Sequence, residues 1–269
     1  MAPDLQRRGS GPGDRAPRRF DTLEKYEELF ADTSPTHTAR GEASVAYLYS
    51  AVAACRISEL VPDARLIAIL RDPAERAYSN FKYLRREGRE PLADFEAALE
   101  AEHERIRRGW SDNWHYRAKG FYAEQVSRYL GVFPRERLRL YRYEDFSSNP
   151  APILRDLYEF VGVNSSFRQP LGLRVNRSGE VRSPAVQRAL DKLRPVKWAL
   201  EPVLPASLQR QLLRLQELNL VRAPLAPSVR ERLIDEYRDD LLRLQELTGF
   251  DVQPWLTSKN TYPPMPGKA

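Results

Sequence analysis

The stretch Arg65–Ser79, RLIAILRDPAERAYS, decides the fold that this sequence predicts. The apolar run RLIAIL has the length and composition of a strand that a parallel sheet buries on both faces. Asp72 is a good helix N-cap, Pro73 takes the first helical position, and Glu75 completes a capping-box pattern three residues after the cap. The segment therefore predicts a buried strand that leads directly into a helix.

This junction places Arg71 at the carboxyl end of a strand and beside a helix N-terminus. Open α/β sheets bind ligands at that edge, and helix N-termini favour anions. Arg76 and Ser79 are three residues apart and share a helix face. Together with Arg71 they could hold a phosphate by charge-assisted hydrogen bonds. The alternative is that Arg71 pairs with an acidic neighbour and that Ser79 caps the helix or fills space.

Other stretches accompany this junction in a recognisable order. They are GEAS at Gly41–Ser44, YLYS at Tyr47–Ser50, KGFYAEQVSRYLGVFPRERLRLYRYEDF at Lys119–Phe146, VNRSGEVRS at Val175–Ser183 and LTGFDVQPWL at Leu247–Leu256. Together they resemble the sulfotransferases that use 3′-phosphoadenylyl sulfate (PAPS). They are most similar to the bacterial branch, which is itself similar to the catalytic domains of heparan sulfate sulfotransferases. The resemblance runs from about Phe20 to Leu256, and it depends on the RDP and YEDF elements in combination.

The resemblance implies an α/β fold with a mainly parallel sheet flanked by helices, similar to that of P-loop nucleoside triphosphatases, and a helical C-terminal part. It implies PAPS as the sulfuryl donor, no metal, and a hydroxyl or amine of a small molecule or carbohydrate as the acceptor. The family pattern carries the 3′-phosphate contact to Arg71 and Ser79. A late cofactor-binding loop of the family corresponds to Arg177, Ser178 and Gly179, for which an ordinary surface turn is the alternative.

Glu42 is the candidate general base. In the heparan-type members that this segment resembles, the matching Glu acts as the base towards the acceptor. Glu42 follows Gly41 and precedes a small residue, which suits a carboxylate held at a strand end that faces a cleft. The alternative is a solvated loop acid. Ala43 stands where many heparan-type relatives have a lysine, so no acceptor contact is carried over at that position.

The sequence contains no match to PKSGTT, the loop whose backbone amides and lysine grip the 5′-phosphosulfate in the family. We expect residues 1–19, rich in Arg, Pro and Gly, to form a disordered basic tail. Residues 20–269 are expected to form a sulfotransferase-like domain that lacks the first strand and this loop. The alternative function is therefore a catalytically inactive, truncated sulfotransferase-fold protein that at most binds nucleotide or polyanion.

Charge and motifs narrow the remaining function classes. A formal charge of +6 and a pI near 9.4 indicate an anionic ligand. The basic residues are spread along helices among many acids, without a stacking-aromatic motif, which argues against a nucleic-acid-binding protein. The lack of a G-xxxx-GK-[ST] motif argues against a P-loop kinase. The three histidines lack metal-ligand spacing, so no metal site is expected.

The single cysteine, Cys55, excludes an internal disulfide and fits a reducing, cytoplasmic compartment. It lies in an apolar run and is expected to be a buried, inert thiol. No apolar run of membrane-spanning length occurs. The acceptor and the oligomeric state stay open at this level.

Periodicity predicts the remaining elements. One helix is expected over Pro91–Trp110, another over Asn113–Leu130, and a strand less buried than RLIAIL over Leu138–Tyr143. A last helix is expected to end at Gly249. Its apolar stripe consists of Val229, Leu233, Tyr237, Leu241 and Leu244.

Overall fold

The computed structural model describes residues 22–34, 36–167, 180–181, 220–221 and 224–257. The helices are α1 (Leu23–Glu27), α2 (Ala53–Leu60), α3 (Pro73–Arg86), α4 (Phe95–Glu100), α5 (Glu102–Arg107), α6 (Tyr122–Leu130), α7 (Tyr143–Ser148), α8 (Pro150–Val161), α9 (Pro227–Thr248) and α10 (Gln253–Leu256). The strands are β1 (Leu66–Leu70), β2 (Leu138–Arg142), β3 (Glu180–Val181) and β4 (Leu220–Val221). The tail expected over residues 1–19 lies outside the described residues.

Strands β1 and β2 form a parallel pair, in register from Leu66 opposite Leu138 to Leu70 opposite Arg142. Strands β3 and β4 form a separate antiparallel pair. Helices cover the parallel pair, and the C-terminal described part is helical. The predicted α/β class with a parallel sheet flanked by helices is confirmed, whereas the expected lack of a first strand stays a prediction.

The two faces of β1 differ in burial. Leu66 and Ala68 pack against the core and Leu70 is buried, whereas Ile67 and Ile69 are 39% and 42% exposed. The prediction that both faces are buried is therefore wrong, because the outer face borders a cleft. Strand β2 has no exposed residue, so the expectation that it is the less buried strand is also wrong.

Helix α9 supplies a long apolar stripe to the core. All five predicted stripe residues are buried, and the helix ends at Gly249, whose φ of 70° is the left-handed cap that the sequence predicts. The Tyr237 ring of this helix lies against Gly120. A Cβ atom at position 120 would come within 2.5 Å of that ring, so the packing of α9 requires glycine there.

Two predicted helices are shorter than expected. The segment Pro91–Trp110 contains α4 and α5 separated at position 101, and only the last part of Asn113–Leu130 is α-helical. The carboxylate of Glu102 accepts hydrogen bonds from the backbone N–H groups of Arg117 and Ala118, at 2.6 and 2.9 Å. Because Glu102 accepts from these two backbone N–H groups, the first part of Asn113–Leu130 does not need helical hydrogen bonds to satisfy them.

Cys55 is exposed on α2, in contrast to the buried thiol that the sequence predicts. Ala53 and Ala54 form the buried part of that helix. Among the described residues, no helix combines the length and the apolar character needed to cross a bilayer.

Candidate active site

A cleft of about 2040 Å³ lies beside β1, between the segment that precedes α2 and the helices α3 and α6. Its acidic lining residues are Glu27, Glu42 and Asp63. Its basic lining residues are Arg40, Arg56, Arg65, Arg71, Arg76, Lys82, Arg86, Lys119 and Arg137. A concave wall with this excess of positive charge attracts anions.

Arg71 lines the cleft from the carboxyl end of β1, as predicted. Its guanidinium carbon lies 5.2 Å from the centroid of the Tyr143 ring. Its Nη2 lies 3.4 Å from Oε2 of Glu75, so the acidic neighbour of the alternative interpretation is also present. Burial raises the pKa of Glu75, and the nearby Arg71 charge opposes this less strongly. Because this ion pair is long and its carboxylate is poorly solvated, we infer that Glu75 competes only weakly with a bound anion for the Arg71 guanidinium.

Asp72 caps α3 as predicted. Its Oδ1 accepts hydrogen bonds from the backbone N–H groups of Ala74 and Glu75, both at 3.0 Å. Glu75 does not complete the capping box, which corrects the prediction from spacing. The backbone N–H of Asp72 donates instead to Oε1 of Glu144 at 3.1 Å, because α7 brings that carboxylate to the start of α3.

Ser79 and Arg76 line the same cleft from α3, as their spacing predicts. Arg76 donates from Nη2 to the carbonyl oxygen of Tyr116, so it does not close a helix ion pair. Its Nε is buried and has no hydrogen-bond partner among the described residues. The structure therefore brings all three residues of the predicted phosphate site, Arg71 included, to one wall.

Glu42 also lines the cleft. It lies in a segment without regular structure and is exposed, so the expectation of a strand end is wrong. The phenol groups of Tyr26 and Tyr47 lie near its carboxylate. Burial raises the pKa of both tyrosines, and the Glu42 carboxylate raises it further. Both phenols therefore stay protonated beside the Glu42 carboxylate.

Helix α6 holds the segment that carries Tyr47. The hydroxyl of Tyr129 donates to the backbone carbonyl of Tyr47 at 2.7 Å. Arg128 donates from Nη2 to the carbonyls of Leu48 and Tyr49, each at 3.2 Å. These long-range bonds hold the irregular segment that carries Tyr47 against α6, where it lines the cleft.

A model of the sulfotransferase family matches residues 16–167, which is more than half of the chain. The chain belongs to the sulfotransferase family. Within that range lie Glu42, Arg71 and Ser79, three of the residues that the family resemblance assigns.

This sulfotransferase is similar to larger animal proteins. Bifunctional heparan sulfate N-deacetylase/N-sulfotransferase 3 of Mus musculus is 31% identical over 134 residues, which are 47% of this chain and 15% of that protein. The Homo sapiens protein of the same name is 32% identical over 130 residues, or 45% of this chain and 14% of that protein. The chain thus matches only a small part of these relatives.

A sulfotransferase from Alicyclobacillus acidocaldarius, known from a crystal structure, has the same fold. It superposes with a TM-score of 0.70 at 30% sequence identity, over 92% of this chain and 80% of that one. The sulfotransferase fold that the resemblance implies is therefore confirmed over most of the chain.

The sequence assigns no contact to Lys119 or Tyr122, but the structure gives each of them a partner. Lys119 is paired with Asp112, with 2.6 Å between Nζ and Oδ2, and burial lowers its pKa. The hydroxyl of Tyr122 donates to the backbone carbonyl of Arg71 at 2.8 Å. The charge of Lys119 is thus balanced by Asp112, whereas Tyr122 supports the backbone at the predicted phosphate site.

The predicted cofactor contacts of the late loop lie outside the described residues and stay a prediction. They are Arg177, Ser178 and Gly179. The described part of the chain contains no cluster of three or more His, Cys, Asp or Glu side chains that could hold a metal ion. Sequence reasoning missed Tyr26 and Glu144 as functional neighbours. The YEDF motif contains Glu144 but indicates no role for it, and nothing local marks Tyr26.

Proposed function

We propose that this sulfotransferase moves a sulfuryl group from PAPS to an amine or hydroxyl of a carbohydrate or small-molecule acceptor. The observation that carries the proposal is that Glu42, Arg71 and Ser79 line one cleft with a mainly basic wall. These residues come from three separate parts of the sequence. The family pattern assigns them complementary roles, and the fold brings them to a common space.

Arg71 and Ser79 bind the 3′-phosphate of the donor in this proposal. A guanidinium group and a hydroxyl group match the acceptor oxygens of a phosphate, and the position at the end of β1 is where α/β sheets bind ligands. Arg177, Ser178 and Gly179 contribute to binding the rest of the donor. No metal is needed, since the basic wall supplies the positive charge that the phosphates and the transferring group require.

Glu42 is the general base. Its carboxylate takes the proton from the acceptor N–H or O–H as that atom bonds to sulfur. The bond between sulfur and the phosphate oxygen breaks in the same displacement, and adenosine 3′,5′-bisphosphate leaves. In this proposal Tyr26 and Tyr47, whose phenols lie near the carboxylate, orient it. The names of the animal relatives, which describe N-sulfotransferases of heparan sulfate, support testing amine-bearing polysaccharides first.

Binding of the desulfated donor tests the phosphate site. Calorimetric titration of the full chain would compare adenosine 3′,5′-bisphosphate with adenosine 5′-phosphate, which lacks the 3′-phosphate. Arg71→Ala should weaken the bisphosphate by roughly ten- to a hundredfold and leave the monophosphate nearly unchanged. Arg232→Ala, which removes an exposed arginine paired with Glu96, is the control. If wild type and Arg71→Ala bind adenosine 3′,5′-bisphosphate with equal affinity, the proposal is contradicted.

Transfer of radiolabelled sulfate from PAPS to a panel of amine and hydroxyl acceptors tests the reaction itself. We expect labelled product with at least one carbohydrate acceptor. Specific binding of the bisphosphate without transfer to any acceptor would instead favour the catalytically inactive nucleotide-binding alternative.

A further inference from the structure

The peptide unit that joins Arg71 to Asp72 is bound from both sides. On one side, the Tyr122 hydroxyl of α6 donates to the carbonyl oxygen of Arg71 at 2.8 Å. On the other side, the N–H of Asp72 donates to Oε1 of Glu144, in α7, at 3.1 Å. Because its carbonyl and its amide are both held, this peptide cannot rotate without breaking a hydrogen bond.

Glu144 belongs to a closed ring of hydrogen bonds behind this peptide. Its Oε2 accepts from Nε1 of Trp255 at 3.2 Å. Arg230 donates to the Trp255 carbonyl at 3.1 Å and to Oδ2 of Asp72 at 2.5 Å. Asp72, Arg230 and Trp255 are buried. The ring therefore joins the start of α3 to α7, α9 and α10, and its four members support one another in a poorly solvated environment.

The residue before Glu144 contacts the side chain of Arg71 directly. The Tyr143 ring centroid lies 5.2 Å from the Arg71 guanidinium carbon, within the range of a cation–π interaction. Two consecutive residues of the YEDF motif thus act on the same arginine. Tyr143 contacts its guanidinium group, and Glu144 holds the peptide that follows it.

We infer that Tyr143 and Glu144 are positioning residues that aim Arg71 at the 3′-phosphate. The direction of an arginine side chain depends on the orientation of its backbone and on what its guanidinium lies against. A charge-assisted contact to phosphate tolerates only small errors in that direction. This inference rests on the proposed function, since it concerns the phosphate contact of Arg71.

The readout is the ratio of the dissociation constants of adenosine 5′-phosphate and adenosine 3′,5′-bisphosphate, which isolates the contribution of the 3′-phosphate. Glu144→Gln retains one acceptor oxygen but presents an NH₂ group to one of the two donors. It should lower this ratio by roughly three- to tenfold. Tyr143→Leu keeps an apolar contact but loses the aromatic face, and should lower the ratio by roughly two- to tenfold. Asp145→Asn, at the next position of α7, removes an equal charge that faces Arg142 and should leave the ratio unchanged.

The Arg71→Ala background separates positioning from general stabilisation. If Glu144 acts through Arg71, Glu144→Gln should change the ratio no further once Arg71 is alanine. If Glu144 only stabilises the fold, Glu144→Gln should lower the melting temperature and leave the ratio at its wild-type value. That result would overturn the inference. A further fall of the ratio in the double variant would overturn it as well.

The proposed function and this inference fail in different ways. If the wild-type ratio is near one, or if Arg71→Ala leaves it unchanged, the phosphate contact itself is wrong and the inference falls with it. If Arg71→Ala lowers the ratio but Glu144→Gln and Tyr143→Leu do not, only the inference is wrong. Tyr143 is 41% exposed, so its variant tests the inference even if Glu144→Gln folds poorly.

Discussion

The two sides of the cleft are built differently. On the Arg71 side, the junction of β1 and α3 is part of the core, and Asp72 is only 3% exposed. Helices α6, α7, α9 and α10 all contribute bonds to this junction or to the ring behind it. On the Glu42 side, the carboxylate lies on an exposed irregular segment, with the phenols of Tyr26 and Tyr47 near it.

Because of this difference, substitutions on the two sides should affect different properties of the protein. Changes on the Arg71 side disturb buried polar groups, so they should affect both folding and nucleotide binding. Changes at Glu42 remove a group that water can reach, so they should affect the rate alone. In the proposed reaction, the donor side is rigid and the acceptor side is supported by a few bonds from α6.

The largest effect is expected for Glu42→Gln, which keeps the shape of the side chain and removes its proton acceptor. Sulfuryl transfer should slow by ~10²–10⁴-fold, with no change in bisphosphate affinity or melting temperature. Glu27→Gln is the matched control, since Glu27 lines the same cleft and has no role in the proposal. A Glu42→Gln enzyme that retains most of its turnover would exclude Glu42 as the base.

The next effect is expected for Arg230→Ala, which leaves Asp72 buried without its ionic partner. The free energy of unfolding should fall by ~3–5 kcal/mol, measured by denaturant titration. Arg232→Ala, on the same helix as Arg230, removes an exposed ion pair with Glu96 of α4 and should cost at most ~1 kcal/mol. Similar losses in the two variants would show that the junction is less dependent on its buried ring than we infer.

A smaller effect is expected for Tyr47→Phe, which removes one of the two phenol hydroxyls that lie near Glu42. The turnover number should fall by roughly three- to tenfold because the carboxylate is held less well, while the Michaelis constant for PAPS stays the same. Tyr83→Phe, which alters another tyrosine of the cleft lining, should change neither constant. An unchanged turnover number in Tyr47→Phe would mean that Tyr26 alone orients the base.

The smallest effect concerns pH and Glu75. Because its pKa is raised in the folded protein, the folded state binds more protons than the unfolded state as pH rises from the ordinary carboxyl pKa to the raised value. The wild type should therefore lose stability over that range relative to Glu75→Gln. Thermal unfolding at pH 4 and pH 7 measures this. The stability of Glu75→Gln relative to wild type should be higher at pH 7, and a change in the opposite direction would contradict the burial effect.

Local patterns predicted the elements that depend on neighbours in the chain. The strand that ends at Leu70, the Asp72 cap and the end of α9 at Gly249 all follow from residues within a few positions of one another. The family resemblance assigned roles to Glu42, Arg71 and Ser79, and the tertiary structure brings these residues to the lining of one cleft. The helix expected over Pro91–Trp110 is interrupted at position 101. The start of Asn113–Leu130 is not α-helical, and backbone groups there donate to Glu102, a partner that periodicity does not reveal.

The sequence by itself determined the strand–helix junction, the family and the candidate phosphate site, since short-range spacing and motifs encode these. Only the tertiary structure decided which groups support that site. Glu144 replaces Glu75 at the N–H of Asp72 from 72 residues away, and Arg230 reaches the Asp72 carboxylate from 158 residues away. Periodicity and capping rules act over one or two helical turns. Such partners are selected by how the helices pack around β1, which becomes visible only once the chain is folded.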